Sequence, residues 1–373
     1  MAESIYLDFN ATAPIRREVI DAMVAVMAAG GNPSSVHHKG RTARNRMEDA
    51  RRQLAALIHC KPPEIIFTSG GTEANNFALG AFPDRRLIVS AQEHDSVLAP
   101  ASPRAPQLLP VGENGLVDLD ILESWLAGTA APALVSVMYA NNETGVIQSI
   151  AAIAAMAHAH GALLHCDAIQ AVGKIVVDFA GLKVDMMSVS AHKFGGPQGA
   201  GALVVREGLV INAAVTGGGQ ELGRRAGTEN VAGIVGFGVA AALAEKELEP
   251  YADVIRLRQM MEARLLDISP ESRVYGQQAE RLPNTCTVSM PGVPADLQVM
   301  SLDLAGIAVS AGSACSSGKV KASHVLKAMG AGDDEAGTAI RVSLGPTTTV
   351  EEIEAFIESW GQLYQRKSPR FAA

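Results

Sequence analysis

Only 4% of the 373 residues are aromatic, four are cysteine, and no stretch is both long and apolar. Each shortage closes off a class of protein. Cys60, Cys166, Cys286 and Cys315 lie far apart, without CxxC or any other metal-ligand spacing. No metal site is therefore expected, and scattered thiols in a large chain are those of a reducing cytoplasmic compartment. The longest apolar stretches, such as 150–157, are too short to span a bilayer. The opening residues MAESIYLDFN carry an early Glu and none of the apolar core of a signal peptide. Basic residues number 31 against 39 acidic, for a net charge of -8, and Lys and Arg form no dense run. Charge-driven binding to nucleic acid or to a membrane is thereby disfavoured.

What is present is a chain 48% hydrophobic, long enough for one large domain and a smaller one. Short apolar runs at 64–68, 87–90, 134–138, 162–166, 185–189 and 201–205 alternate with helical patterns, notably 72–82 and 149–160. Continuous apolar strands alternating with helices indicate a mostly parallel sheet covered on both faces. After about residue 250 the texture changes. A helical segment over 251–267 leads to strands at 285–290 and 339–344, with helices near 295–305, 321–328 and 350–364. The expected division is a large α/β domain over 16–250 and a smaller α+β domain formed by 1–15 and 251–373.

Lys193 sits in SVSAHKFGGPQGAGALVV, between two apolar strands. A strand-end lysine usually extends into solvent; the alternative is an amine that forms an imine with an aldehyde cofactor. Pyridoxal phosphate would make further demands on the chain. Asp167 ends the strand ALLHC at the carboxyl edge where open α/β sheets bind ligands, placed to pair with a pyridine nitrogen. Gln170 could donate to the ring oxygen. The run TSGGTE (68–73) offers a strand, a Gly-Gly turn with Gly71, and a helix start carrying Thr72, suited to a phosphate. Ser190 and His192 flank the lysine as further donors, and His94 follows the strand LIVS as a stacking platform. Each signal is weak alone; together they converge.

The stretches LDFNATAP (7–14), GNPSSVHHKGR (31–41), TSGGTEANN (68–76), EHDSV (93–97), NNETG (141–145), HCDAIQAVGK (165–174), SAHKFGGPQGAGAL (190–203), GGGQELGRRAGTEN (217–230), SAGSACSSG (310–318) and IRVSLG (340–345) span the chain in order. On these the sequence closely resembles the NifS/IscS-type cysteine desulfurases, class V aminotransferases with the type I pyridoxal-phosphate fold. The resemblance implies that Lys193 holds the cofactor, that Asp167 and Gln170 contact its ring, and that His94 stacks on it. It implies phosphate contacts from Gly71, Thr72, Ser190 and His192, with Thr228 reaching the phosphate of a neighbouring subunit in a homodimer. Asn142 and Arg341 would hold the substrate carboxylate, the arginine by a two-pronged ion pair. Phe9 and Ala13 depart from the family's usual small residue and Thr, and are expected to bear on the entrance or substrate wall. Longer relatives dock a scaffold protein through a C-terminal tail; QLYQRKSPRFAA is short.

Cys315 decides the reaction. SAGSACSSG has the composition of a mobile loop, so its thiol is not a core residue. Cys166 and Cys286 lie in apolar strands and Cys60 at a helix end, where inert thiols are expected. The expected activity converts L-cysteine to L-alanine, with Cys315 attacking the substrate sulfur to become a persulfide for iron–sulfur cluster assembly. A selenocysteine lyase, an aminotransferase or a tRNA-thiolation donor would share the scaffold. A silent binding protein would be expected to lack Lys193, Asp167 or Cys315. The pairs His37-His38 and His158/His160 have no carboxylate or thiol close in sequence and are expected to bind no metal.

Overall fold

The computed structural model describes residues 4–129, 131–248, 251–312 and 322–367. Its centre is a seven-stranded sheet in the spatial order Ile65–Thr68, Gly201–Val205, Met186–Ser190, Leu163–Asp167, Ala133–Ser136, Arg86–Ser90, Gln107–Leu109. All strands run parallel except Gly201–Val205, which is antiparallel to both neighbours. The expected α/β architecture with a mostly parallel sheet is thus observed. Strands Ile65–Thr68, Ala133–Ser136, Leu163–Asp167, Met186–Ser190 and Gly201–Val205 are buried throughout, which is why they read as apolar or small-residue runs, interrupted only by His165 and Asp167. The seventh strand, Gln107–Leu109, exposes two of its three residues at the sheet edge and gives no such run.

Helices cover both faces. Helix His38–Leu57 packs against helix Val231–Lys246, and Gly238 is required there: a Cβ would lie 2.4 Å from the Ala50 Cα. Ile58, Ile65, Ile153, Leu164 and Phe237 belong to the core on one side, and Phe77, Leu79, Val89 and Leu203 to that on the other.

A second apolar core gathers Leu7, Leu265, Cys286, Val288, Ile340, Phe356 and Trp360. Here Thr285–Ser289, Ala339–Ser343 and Ser310–Ala311 form an antiparallel sheet, backed by helices Tyr251–Ile268 and Val350–Lys367. Ile5–Tyr6 pairs in parallel with Ile307–Ala308. The chain then crosses to the large sheet: the Phe9 amide donates to the Ser343 carbonyl, and the Ala13 amide to the His192 carbonyl. Residues 8–13 therefore pass directly beside Lys193.

Candidate active site

The carboxyl ends of the parallel strands face a cavity of about 310 Å³. Lys193 enters it from a short 3-10 turn, Ala191–Lys193, that follows strand Met186–Ser190. Its Nζ donates to the carbonyls of Asn10 (2.7 Å) and Ala11 (2.9 Å). Asp167 ends the adjacent strand and is buried. Its Oδ1 accepts from the Ile169 amide at 3.0 Å and its Oδ2 from Asn75 Nδ2 at 2.7 Å. Desolvation pushes the Asp167 carboxyl up, and these donors, with His94 and Lys193 nearby, oppose the rise.

The hydrogen bonds run on from Asp167 in one direction. Asn75 Nδ2 also donates to Ser96 Oγ (2.8 Å), which lies 2.8 Å from His94 Nδ1. The Ser96 amide donates to the same nitrogen at 3.0 Å, making His94 the cap of helix Asp95–Ala101. A backbone N–H can only donate, so Nδ1 is the acceptor and the neutral ring carries its proton on Nε2.

The opposite wall comes from the smaller sheet. Arg341 is buried; it donates from NH2 to Asp8 Oδ1 (2.8 Å) and from NH1 to the Asn142 carbonyl (3.1 Å). Its Nε is buried with no hydrogen-bond partner among the described residues. Asn142 lines the cavity from a turn organised by Asn141, whose Oδ1 accepts the amides of Glu143 and Thr144 at 2.9 Å each. Behind the lysine, Gln170 Nε2 donates to the Asn10 carbonyl at 2.9 Å.

One end of the cavity is built for an anion. Strand Ile65–Thr68 turns through Gly70 (φ 156°, ψ -179°) into helix Gly71–Gly80. Gly201 lies opposite both Thr68 and Ser190, and a Cβ there would lie 2.5 Å from the Gly70 carbonyl carbon. The free N–H groups of a helix start attract anions. Ser190 Oγ lines this cavity, buried and without a hydrogen-bond partner among the described residues. His192 is held neutral: burial, and then the charge of Lys193 and Lys174, lower its pKa to about 4. An orphaned hydroxyl, a glycine-built helix start, a carboxylate and an amine in one cavity fit pyridoxal phosphate.

A family model, Aminotransferase class-V, matches residues 5–356. The chain belongs to the class-V aminotransferase family. A cysteine desulfurase of Sinorhizobium fredii is 44% identical, with 94% of each chain covered. A NifS-like protein from Rickettsia africae superposes with a TM-score of 0.91 at 38% identity, covering 97% of this chain and all of that one. A protein solved as SspA in complex with cysteine superposes with a TM-score of 0.80 at 29% identity, over 93% of this chain and all of that one. Like the NifS-like members, this class-V aminotransferase family protein depends on pyridoxal phosphate.

In this family member the cavity gathers Lys193, Asp167, His94, Gly71, Thr72, Gln170, Ser190, His192, Asn142 and Arg341. Thr228 does not line it and is exposed. Cys315 lies outside the described residues; Gly312, the last described residue before it, does line the cavity. Phe9 does not form a wall as expected: it packs edge-on against Tyr6 (centroids 5.3 Å apart) and over Gly345, where a Cβ would lie 2.0 Å from its ring. Ala13 does not line the cavity either. His37 caps helix His38–Leu57, while His158 and His160 bind Asp185 and Glu123, carboxylates remote in sequence.

Sequence reasoning missed several site residues. Asn10, Glu143 and His324 line the cavity, and Asn75, Ser96, Asp8 and Lys174 hold its walls. Glu143 is buried, its Oε2 accepting from Ser323 Oγ at 2.5 Å, and desolvation raises its pKa. Among the described residues no helix is long and apolar enough to cross a membrane.

Proposed function

We propose that the chain is a cysteine desulfurase that releases L-alanine from L-cysteine and keeps the sulfur as a persulfide on Cys315. The observation that carries this reading is the meeting of Lys193, Asp167 and Arg341 around one cavity beside an anion-binding helix start. Pyridoxal phosphate, when bound, supplies an aldehyde that an amine captures and a pyridinium ring that accepts the electrons released at the substrate Cα.

Lys193 would supply the amine that holds the cofactor, and its Nζ would take the Cα proton of the substrate. Asp167 would face the pyridine nitrogen, and its bonds to Asn75 and the Ile169 amide favour its ionised form there. Gly71, Thr72, Ser190 and His192 would hold the phosphate, joined by Thr228 of a second subunit in a homodimer. Gln170 would donate to the ring oxygen. His94 would stack on the ring and give a proton from Nε2, which its bonding leaves as the protonated nitrogen. Asn142 and Arg341 would hold the substrate carboxylate, with Asp8 fixing the guanidinium.

Sulfur transfer balances without an external oxidant. The substrate C–S bond breaks, an S–S bond forms to Cys315, and the carbon fragment takes up protons to leave as alanine. The other three cysteines support this choice of nucleophile. Burial pushes Cys60 up to about 12 and raises Cys166 and Cys286 far above a thiol's usual range, so none offers a thiolate. We read 16–250 as the large unit, and 1–15 with 251–373 as the unit that carries Cys315. An iron–sulfur scaffold in the cytoplasm is the proposed acceptor.

The test is alanine formed from L-cysteine by the purified protein. Cys315→Ala is expected to keep the visible cofactor band and lose turnover, whereas Lys193→Ala loses both. Wild-type desulfuration by Cys315→Ala with a sulfur acceptor present would remove the assignment.

A further inference from the structure

Lys174 is 2% exposed, and the cavity chemistry above makes no use of it. Buried ammonium groups are normally paired with carboxylates. Here Nζ donates to two amide oxygens, Gln170 Oε1 at 2.6 Å and Asn10 Oδ1 at 2.7 Å. The titratable groups that act on it are themselves basic: Lys193 and His192 from the turn after strand Met186–Ser190, and Arg341 from the smaller sheet. Burial and those charges lower its pKa well below the ordinary lysine value. Both contacts survive loss of the charge, because a neutral amine still has two N–H groups to give.

The two bonds settle which way two amides face. With Oε1 taken by Lys174, Gln170 presents Nε2 to the other side, where it donates to the Asn10 carbonyl. With Oδ1 taken by Lys174 and Asn284, Asn10 presents Nδ2 to the Asn142 carbonyl and Thr285. The Asn10 carbonyl then receives both Gln170 Nε2 and Lys193 Nζ.

We infer that Lys174 is a positioning residue for the cofactor-anchoring lysine: it locks Gln170 and Asn10 so that an N–H faces the cofactor ring oxygen and a carbonyl faces Lys193. This rests on the reading of the cavity as the pyridoxal-phosphate site. A donor on the ring oxygen favours the deprotonated lysine–cofactor linkage. Removing Lys174 releases Gln170 Oε1 and weakens that donor, so protonation of the linkage persists to higher pH.

The experiment is a pH titration of the visible band of the holoenzyme. In Lys174→Met the midpoint is expected to rise by about one pH unit, tenfold in the protonation equilibrium. In a Gln170→Leu background the same substitution is expected to add little, because its route is already cut. Lys174→Leu, equally unable to donate, is the second variant should Lys174→Met fail to fold. A midpoint unchanged in whichever of the two folds, or a full additive shift in the Gln170→Leu background, overturns the inference. A wild-type protein with no visible band would instead overturn the cofactor reading itself.

Discussion

Arg341 shows how one residue's environment limits what it can do. Its guanidinium is buried, one edge is held by Asp8, and Nε has no hydrogen-bond partner among the described residues. Charged hydrogen bonds contribute about 1.5–3 kcal/mol each. Arg341→Ala is therefore expected to raise KM for cysteine roughly ten- to hundredfold, with a smaller change in kcat, as read by steady-state alanine release. His94 gives a second residue-level outcome. Nitrogen-15 NMR is expected to find Nδ1 unprotonated, and in Ser96→Ala that nitrogen loses one of its two donors and its resonance moves. A protonated Nδ1 in the wild type would contradict the chain of bonds from Asp167. Residues whose chemistry demands a specific type, such as Lys193 and Asp167, are legible in sequence. Asn75 and Lys174 sit inside the matching stretches TSGGTEANN and HCDAIQAVGK, yet had no readable role. Asn75 meets Asp167 from 92 residues away, and Lys174, besides Gln170 four residues back, meets Asn10 from 164 away, so only the fold shows what they hold.

At the level of elements, the strand ends make the site. Gly201 faces Thr68 on one side and Ser190 on the other, so the antiparallel strand of the large sheet begins where the anion-binding turn closes. A Cβ at Gly201 meets backbone, 2.6 Å from the Gly70 Cα and 2.5 Å from its carbonyl carbon, and backbone cannot move aside as a side chain can. Gly201→Ala is expected to displace the start of helix Gly71–Gly80 and weaken cofactor affinity tenfold or more. The far-ultraviolet circular dichroism should be unchanged; spectral titration with pyridoxal phosphate measures the loss. The same geometry explains what sequence periodicity recovers. Buried strands such as Ala133–Ser136 and Gly201–Val205 announce themselves as short, almost wholly apolar runs. Gln107–Leu109 does not, because an edge strand with one buried residue has no pattern to show. Ile5–Tyr6 is equally silent, being two residues long and paired with residues some 300 positions away.

For the whole molecule, the pH response follows from groups buried without charge. His165 is fully buried between Ser136 Oγ and Ser188 Oγ, each 2.9 Å from a ring nitrogen, and burial lowers its pKa to about 3. Unfolded, it titrates near 6.5. Above about pH 6.5 both states are neutral and the histidine adds no pH dependence. As pH falls from 6.5 toward 3 the unfolded chain takes up a proton that the native state refuses, so stability falls, by at most ~1.4 kcal/mol per pH unit. Glu143 and Asp167, whose carboxyls burial raises, act in the opposite sense, because the native state binds their protons first. The histidine is separable from them by substitution. His165→Gln stays neutral at every pH, and is expected to lower the melting temperature at pH 7 through its less well matched bonds to the two serines. Between pH 7 and 5 that melting temperature should then fall less steeply than in the wild type. Parallel slopes for the two proteins would mean that the acid sensitivity of this sheet resides elsewhere.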